Sequence, residues 1–330
     1  MKAKTIKAVL RKKVDEWLAS IDDPAVRDVA AKNTIVTGGA IASMLLAEPV
    51  NDFDIYFRTR AATLAVCRYY LARFNPTLKA GIPVEIYLAN GFGHRIEQDT
   101  IPSGADDATS RVKIVIKSAG VASEKGAAKP YEYFEARPAD EAAGYVGEVM
   151  GDPGQIQDTY EQTEEAALQT TDDGKPAYRP VFMSTNAITL SHRVQLVARF
   201  WGEPDAIHEN YDFVHCTNYW TSWDSELVLR QPALEALLAR ELRYVGSKYP
   251  VCSLIRLRKF IGRQWTVNAG QILKMCMQIS ALDLTNVHVL EDQLTGVDAA
   301  YFSQVIAKVK EKDPEKLNAA YLIEIIDRMF

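Results

Sequence analysis

Cysteine is sparse in this chain and unpatterned. Cys67, Cys216, Cys252 and Cys276 lie far apart and form no CxxC pair. That argues against a zinc cluster or a disulfide frame and suggests buried thiols in a reducing compartment. His208 and His215 flank a polar segment, but no cysteine–histidine spacing there resembles a zinc site. No apolar run approaches the roughly 20 residues that cross a bilayer. The opening "MKAKTIKAVLRKKVDEWLAS" lacks the apolar stretch of a secretory signal. The expectation is a cytoplasmic protein with no membrane partner. Positive charge is not in excess either: 38 Lys and Arg face 43 Asp and Glu, for a net charge of -5. Any polyanion must therefore be met by a local patch. Internal repeats and low-complexity tracts are absent.

What is present is an ordinary globular composition, 48% hydrophobic and 25% charged, in 330 residues, enough for two or three domains. Residues 5–32 predict two helices broken at Asp22, Asp23 and Pro24. "TIV" (34–36) reads as a strand, 40–47 as a short helix that Pro49 ends, and "DFDIYF" (52–57) as an alternating strand. Residues 61–74 form an amphipathic helix and "PVEIYLA" (83–89) a strand, an α/β-like unit. In the stretch 90–180 only "RVKIVIK" (111–117) reads as a strand. From Tyr131 to Asp173 twelve acidic residues meet one basic residue, Arg137, as in a solvated insertion or a negatively charged lid. "NAITL" (186–190) and "RVQLVARF" (193–200) predict an antiparallel pair. Residues 203–220 mix helix and turn signals, and 226–330 carry mostly helical periodicity. The expected domains are N-terminal helices (1–33), a core (34–89 and 181–224), an insertion (90–180) and a helical domain (225–330).

One stretch carries chemistry. In "TGGAIASMLLAEPVNDFDIYF" (37–57), Gly38 and Gly39 lie between a strand and a helix N-terminus. Free backbone N–H groups there favour phosphate, and the missing Cβ lets a ligand approach. On the following strand Asp52, Asp54 and Tyr56 share one face, and Phe53, Ile55 and Phe57 the other. Two carboxylates that close repel unless a cation lies between them. Magnesium suits such a pair, because it is satisfied by a few carboxylate oxygens, water and phosphate oxygens. Either half alone is common on surfaces; together they fit a nucleoside triphosphate with two magnesium ions.

These residues resemble the signature of the DNA polymerase β-type nucleotidyltransferase superfamily, above all its CCA-adding and poly(A) polymerase branch. Gly38, Gly39, Leu45, Leu46, Asp52, Asp54 and Ile55 match. The arginine usual in the helix is absent, with Ala42 and Ser43 in its place. Downstream, Asp212, Phe213 and Asn218 fall near a second family segment, although Asn210 and Tyr211 replace its arginine pair. "YPVCSLIRLRKFIGRQW" (249–265) is similar to the arginine-rich neck helix. The arrangement also looks like nucleotidyltransferase-like proteins of large tailed phages.

The resemblance implies an α+β fold with a small mixed sheet, an insertion and a C-terminal helical domain. It implies a metal-dependent enzyme that moves a nucleotide from a triphosphate to a hydroxyl, on an RNA and especially a tRNA 3′ end, releasing pyrophosphate. A protein or small-molecule acceptor, or a degenerate fold that only binds, are the alternatives. Asp52 and Asp54 would hold metal, and Gly38 and Gly39 the β- and γ-phosphates. A third catalytic carboxylate would be Asp212, or Glu85, or none. By topology its place falls to Gln195, whose amide is neither a base nor a good magnesium ligand. From Glu226 to Trp265 eight Arg or Lys face three glutamates, and Arg256 or Lys259 would meet the triphosphate or an RNA backbone. Tyr219, Trp220 and Trp223 would stack on a base or fill the core.

Overall fold

The computed structural model describes residues 1–74, 85–89, 95–96, 111–115, 120–121, 132–133, 178–183, 186–286, 289 and 293. The expectations for the acidic insertion, and for a helix over "AAYFSQVIAKVKEK", fall outside them. The chain divides into two compact units, one of Met1–His208 with His215–Leu238, the other of Glu209–Val214 with Ala239–Phe330. The expected boundary at 225 thus shifts: residues 225–238 go with the first unit, and the short segment 209–214 with the second.

In the first unit α1 (Ala3–Ala19) buries Ile6, Leu10, Val14 and Trp17, one stripe at helical spacing. The Asp23 carboxylate accepts the N–H groups of Ala25 and Val26 and so caps α2 (Pro24–Asn33). Strand β1 (Thr34–Thr37) leads to α3 (Gly39–Leu46), which ends on Ala47 in the left-handed region, two residues before Pro49. Then come β2 (Phe53–Phe57) and α4 (Arg60–Phe74). Strands β3 (Glu85–Ala89), β4 (Arg95–Ile96) and β5 (Arg111–Val115) make a small separate sheet in the order β4-β3-β5.

The main sheet adds β6 (Gly120–Val121), β7 (Glu132–Tyr133), β8 (Pro180–Met183), β9 (Ala187–Leu190), β10 (Val194–Trp201), β11 (Tyr219–Thr221) and β12 (Leu227–Val228). Among the described residues its order is β12-β11-β1-β2-β10-β9-β8-β6-β7. The body is the six strands from β11 to β8. Strands β2 and β10 pair in parallel, and the other pairs are antiparallel. The fold is therefore mixed α+β, and Leu227–Val228, expected in a helix, is an edge strand instead. The β9–β10 hairpin turns through His192 and Arg193, both at positive φ.

Two residue rows cross this sheet. Trp220, Val36, Ile55, Leu196 and Ile188 are register partners and are all almost fully buried in one hydrophobic core with α1 and α4. The opposite face carries Tyr219, Thr37, Asp54, Gln195 and Thr189 in the same register. Cys67 lies in the core, where burial pushes its thiol up to about 12. Cys252 is also buried, whereas Cys276 is exposed, contrary to the expectation.

Short helices α5 (Pro204–His208) and α6 (Gln231–Ala239) complete this unit. The second unit holds α7 (Pro250–Gly262) and α8 (Ala269–Ser280), the latter capped by the Asn268 side chain. Its core stacks Phe213 on Tyr244 and on Phe260, and Phe260 on Trp265, with ring centroids 5.6–6.0 Å apart. No helix among the described residues is long and apolar enough to cross a membrane.

Candidate functional site

The glycine turn is built as its sequence suggests. Gly38 adopts φ 87° and ψ -148°, a region essentially reserved for glycine. Its N–H donates to the Cys216 carbonyl at 3.1 Å, which ties the turn to the segment before β11. Gly39 opens the eight-residue α3 and is exposed; a Cβ there would meet nothing within 4 Å. Space is therefore open beside Gly39 at the N-terminus of α3, the positive end of the helix dipole.

The carboxylates lie beside that turn. Asp54 pairs with Thr37 in β1 and with Gln195 in β10, so one strand step separates it from the residue before Gly38. Asp54 is half-buried, and Asp52, two residues earlier and just outside the strand, is exposed. Alternation puts both on the polar face. Tyr56, the third residue of that face, is buried, so exposure on this face is confined to the end of the strand that carries the aspartates. The Gln195 amide donates weakly to Thr189 Oγ1 at 3.5 Å. Among the described residues no group of three or more His, Cys, Asp or Glu is placed to hold a metal. Two carboxylates suit magnesium that keeps its waters and takes phosphate oxygens; they do not suit a zinc or calcium cage.

A buried polar knot fixes the base of the site. Thr37 is inaccessible to solvent; its hydroxyl lies 2.8 Å from the Asn218 carbonyl and 2.8 Å from His208 Nε2. A hydroxyl has one proton, and a carbonyl can only accept. Thr37 therefore donates to Asn218, and His208 Nε2 carries the hydrogen that Thr37 accepts; this tautomer is inferred from the network. Burial, and then the Arg230 charge, lower the His208 pKa to about 4, so the ring is neutral at pH 7. Sequence reasoning missed Thr37 and His208. The one available signal was the position of Thr37 directly before the glycines.

The remaining expected residues fall in several elements. Asp212 belongs to the second unit, where Arg256 Nη1 bonds its Oδ2 at 2.7 Å and the Phe213 N–H its Oδ1 at 3.1 Å. The resemblance implies separate tasks for the two members of this pair; in the structure they hold one another. Lys259 is exposed on the same helix α7. Glu85 lies in the small sheet, opposite Val115. Trp220 is a core residue, 1% exposed, which removes it as a stacking platform. Arg58 lies 4.9 Å over Trp223, and Arg230 5.4 Å over Tyr219.

Comparison with known proteins places this geometry in a different setting from the one its signature suggested. The model of the family described as "Gabija anti-defense 2 family protein" matches residues 8–240. A curated relative, "Gabija anti-defense 2" of Bacillus phage SPbetaL7, is 19% identical over 116 residues. The match covers 35% of this chain and 29% of the relative, so the chain spans under a third of the length of the curated protein it matches. No solved structure matches. The expected membership of the polymerase β-type superfamily is thereby overturned, and with it nucleotide transfer to an RNA 3′ end as the function. The signature covered two dozen residues of one glycine turn and one strand. The family match runs through most of both helical and sheet elements of the first unit. RNA as a partner rested on that resemblance and on the basic stretch from Glu226 to Trp265.

Proposed function

This chain belongs to the Gabija anti-defense 2 family, and from that premise we propose that it acts for a phage against the Gabija defence. The same proposal assigns the action to a magnesium-bound nucleoside triphosphate held at the Gly38–Gly39 turn beside Asp52 and Asp54. The family supplies the first part. The second is supported by one observation above all: Asp54 pairs with Thr37, so a carboxylate strand lies next to the strand that leads into the glycine turn and α3. The helix end attracts phosphate, and the carboxylates attract the cation that accompanies it. Magnesium, when bound, would neutralise phosphate charge between these two groups. The chain's own part is to hold the turn open with Gly38 and to aim two carboxylates beside it.

The test joins binding to biology. Cells carrying the Gabija system and expressing this chain are challenged with a phage that the system normally stops. The unaltered protein restores plaques, and Asp54→Asn, which is similar in size but lacks the charge, does not. In parallel, magnesium-dependent binding of ribonucleoside triphosphates is lost in Asp54→Asn, and release of pyrophosphate is followed in the same samples. An Asp54→Asn protein that folds, binds no triphosphate and still restores plaques fully would separate the site from the anti-defence role and sink the second part.

A further inference from the structure

Arg230 is a cation of the same unit, on the far side of β1 from the carboxylate strand. It follows β12, and its backbone N–H donates to the Asn218 side-chain oxygen at 2.8 Å. Asn218 is fully buried, and its Nδ2 has no hydrogen-bond partner. The Arg230 guanidinium lies 5.4 Å from the Tyr219 ring centroid, and the Tyr219 ring 5.7 Å from that of His208. Its charge is close enough to contribute to the lowered pKa of His208, whose Nε2 meets Thr37. Tyr219 pairs with Thr37, and Thr37 with Asp54. Two strand steps of about 4.8 Å put β11, the strand of Tyr219 on which Arg230 rests, roughly 10 Å from the carboxylate strand, with Thr37 and the start of the glycine turn on the strand between. An extended phosphate chain that starts at the Asp54 cation and crosses the turn would end there.

The present partner of Arg230 does not prevent this. It is ion-paired with Asp205, whose side chain is 86% exposed, and such pairs contribute little net stability. A phosphate offers the planar guanidinium two charge-assisted hydrogen bonds instead. Arg256 is differently placed: its partner Asp212 has a side chain only 12% exposed, and withdrawing the arginine would leave a carboxylate out of water with no counter-charge.

The geometry points to Arg230 as the residue that receives the outermost phosphate of the ligand. This rests on the nucleotide reading above and deepens it. Arg230 makes the site selective for triphosphates over monophosphates, and Asp205 holds its place in the empty state.

The experiment is calorimetric titration of the full chain with each of the four ribonucleoside triphosphates, and each matching monophosphate, in magnesium. Unaltered protein is compared with Arg230→Ala, Arg230→Lys and Asp205→Asn. Losing hydrogen bonds to a charged group weakens the triphosphate by about 10- to 100-fold in Arg230→Ala. Monophosphate binding is unchanged in that variant, and the preference for triphosphate collapses. Arg230→Lys falls between, because a point charge replaces a fork. Asp205→Asn binds triphosphate as tightly as the unaltered protein or tighter. Triphosphate binding unchanged in Arg230→Ala and lost in Asp54→Asn would overturn the role of Arg230 and keep the nucleotide site. Equal weakening of both ligand classes would also overturn it. No binding of any triphosphate to the unaltered chain would overturn both.

Discussion

Replacing Thr37 by valine tests the polar knot under the glycine turn. The two side chains have nearly the same shape, so no cavity is created, but the hydroxyl goes. Two buried groups then lose their partner: the Asn218 carbonyl, which accepts from Thr37 at 2.8 Å, and the His208 Nε2–H, which donates to it at 2.8 Å. A buried polar group left unsatisfied costs about 1–3 kcal/mol, so two give about 2–6 kcal/mol. Thr37→Ser keeps the hydroxyl and loses one methyl, for about 1 kcal/mol. Urea unfolding followed by far-ultraviolet circular dichroism and by tryptophan fluorescence measures the difference. With a slope of about 3 kcal/mol per molar urea, the valine midpoint falls by roughly 0.7–2 M, and the serine midpoint by about 0.3 M. The knot also sets the turn, so the triphosphate affinity of Thr37→Val falls while that of Thr37→Ser holds. A valine variant within about 0.5 kcal/mol of the unaltered protein would refute the reasoning, because the three groups would then not be mutually satisfied and buried.

Two further predictions concern the same corner. The His208 pKa is lowered in the folded state, from 6.5 to about 4, so its contribution is complete above pH 6.5. It is lost progressively as pH falls from 6.5 to about 4, where the unfolded ring binds a proton and the folded ring does not. The total is up to about 3 kcal/mol. Urea midpoints measured from pH 7.5 to 4 decline for the unaltered protein, and this part of the decline disappears in His208→Gln; identical slopes would refute the assignment. The two glycines separate folding from binding. Gly38→Ala costs at least about 1–3 kcal/mol through its backbone conformation. Gly39→Val leaves the melting temperature within a few degrees and abolishes triphosphate binding, because its side chain enters the open space over α3. Stable Gly38→Ala protein, or tight binding by Gly39→Val, would count against the site.

Local elements were legible wherever one residue type decides them. The break at Asp23–Pro24, the end of α3 before Pro49 and the alternation in "DFDIYF" each follow from a backbone constraint or a side-chain period acting over a few residues. The helix expected at Leu227–Val228 failed because pairing with β11 outweighed a helical period too short to bury a stripe. The site was legible in the same proportion. Gly38, Gly39, Asp52 and Asp54 are close in sequence, so spacing alone could bring them to one turn and one strand. The pairing of Asp212 with Arg256 is set by residues 44 positions apart, and no local pattern reports it.

The sequence by itself determined that a glycine turn and two aspartates fall within residues 37–54, since a glycine turn and an alternating strand follow from local stereochemistry. It did not determine family or partners, because a motif of two dozen residues constrains a turn and not a chain. Only the tertiary structure decided which residues stand in one row with Asp54. Antiparallel pairing of β11 with β1 carries Tyr219 to Thr37, and Arg230 with it. The basic helix α7, more conspicuous in the sequence, commits its Arg256 to a carboxylate of its own unit. Strand pairing joins residues nearly two hundred positions apart, and a one-residue shift in that register would send every side chain to the opposite face.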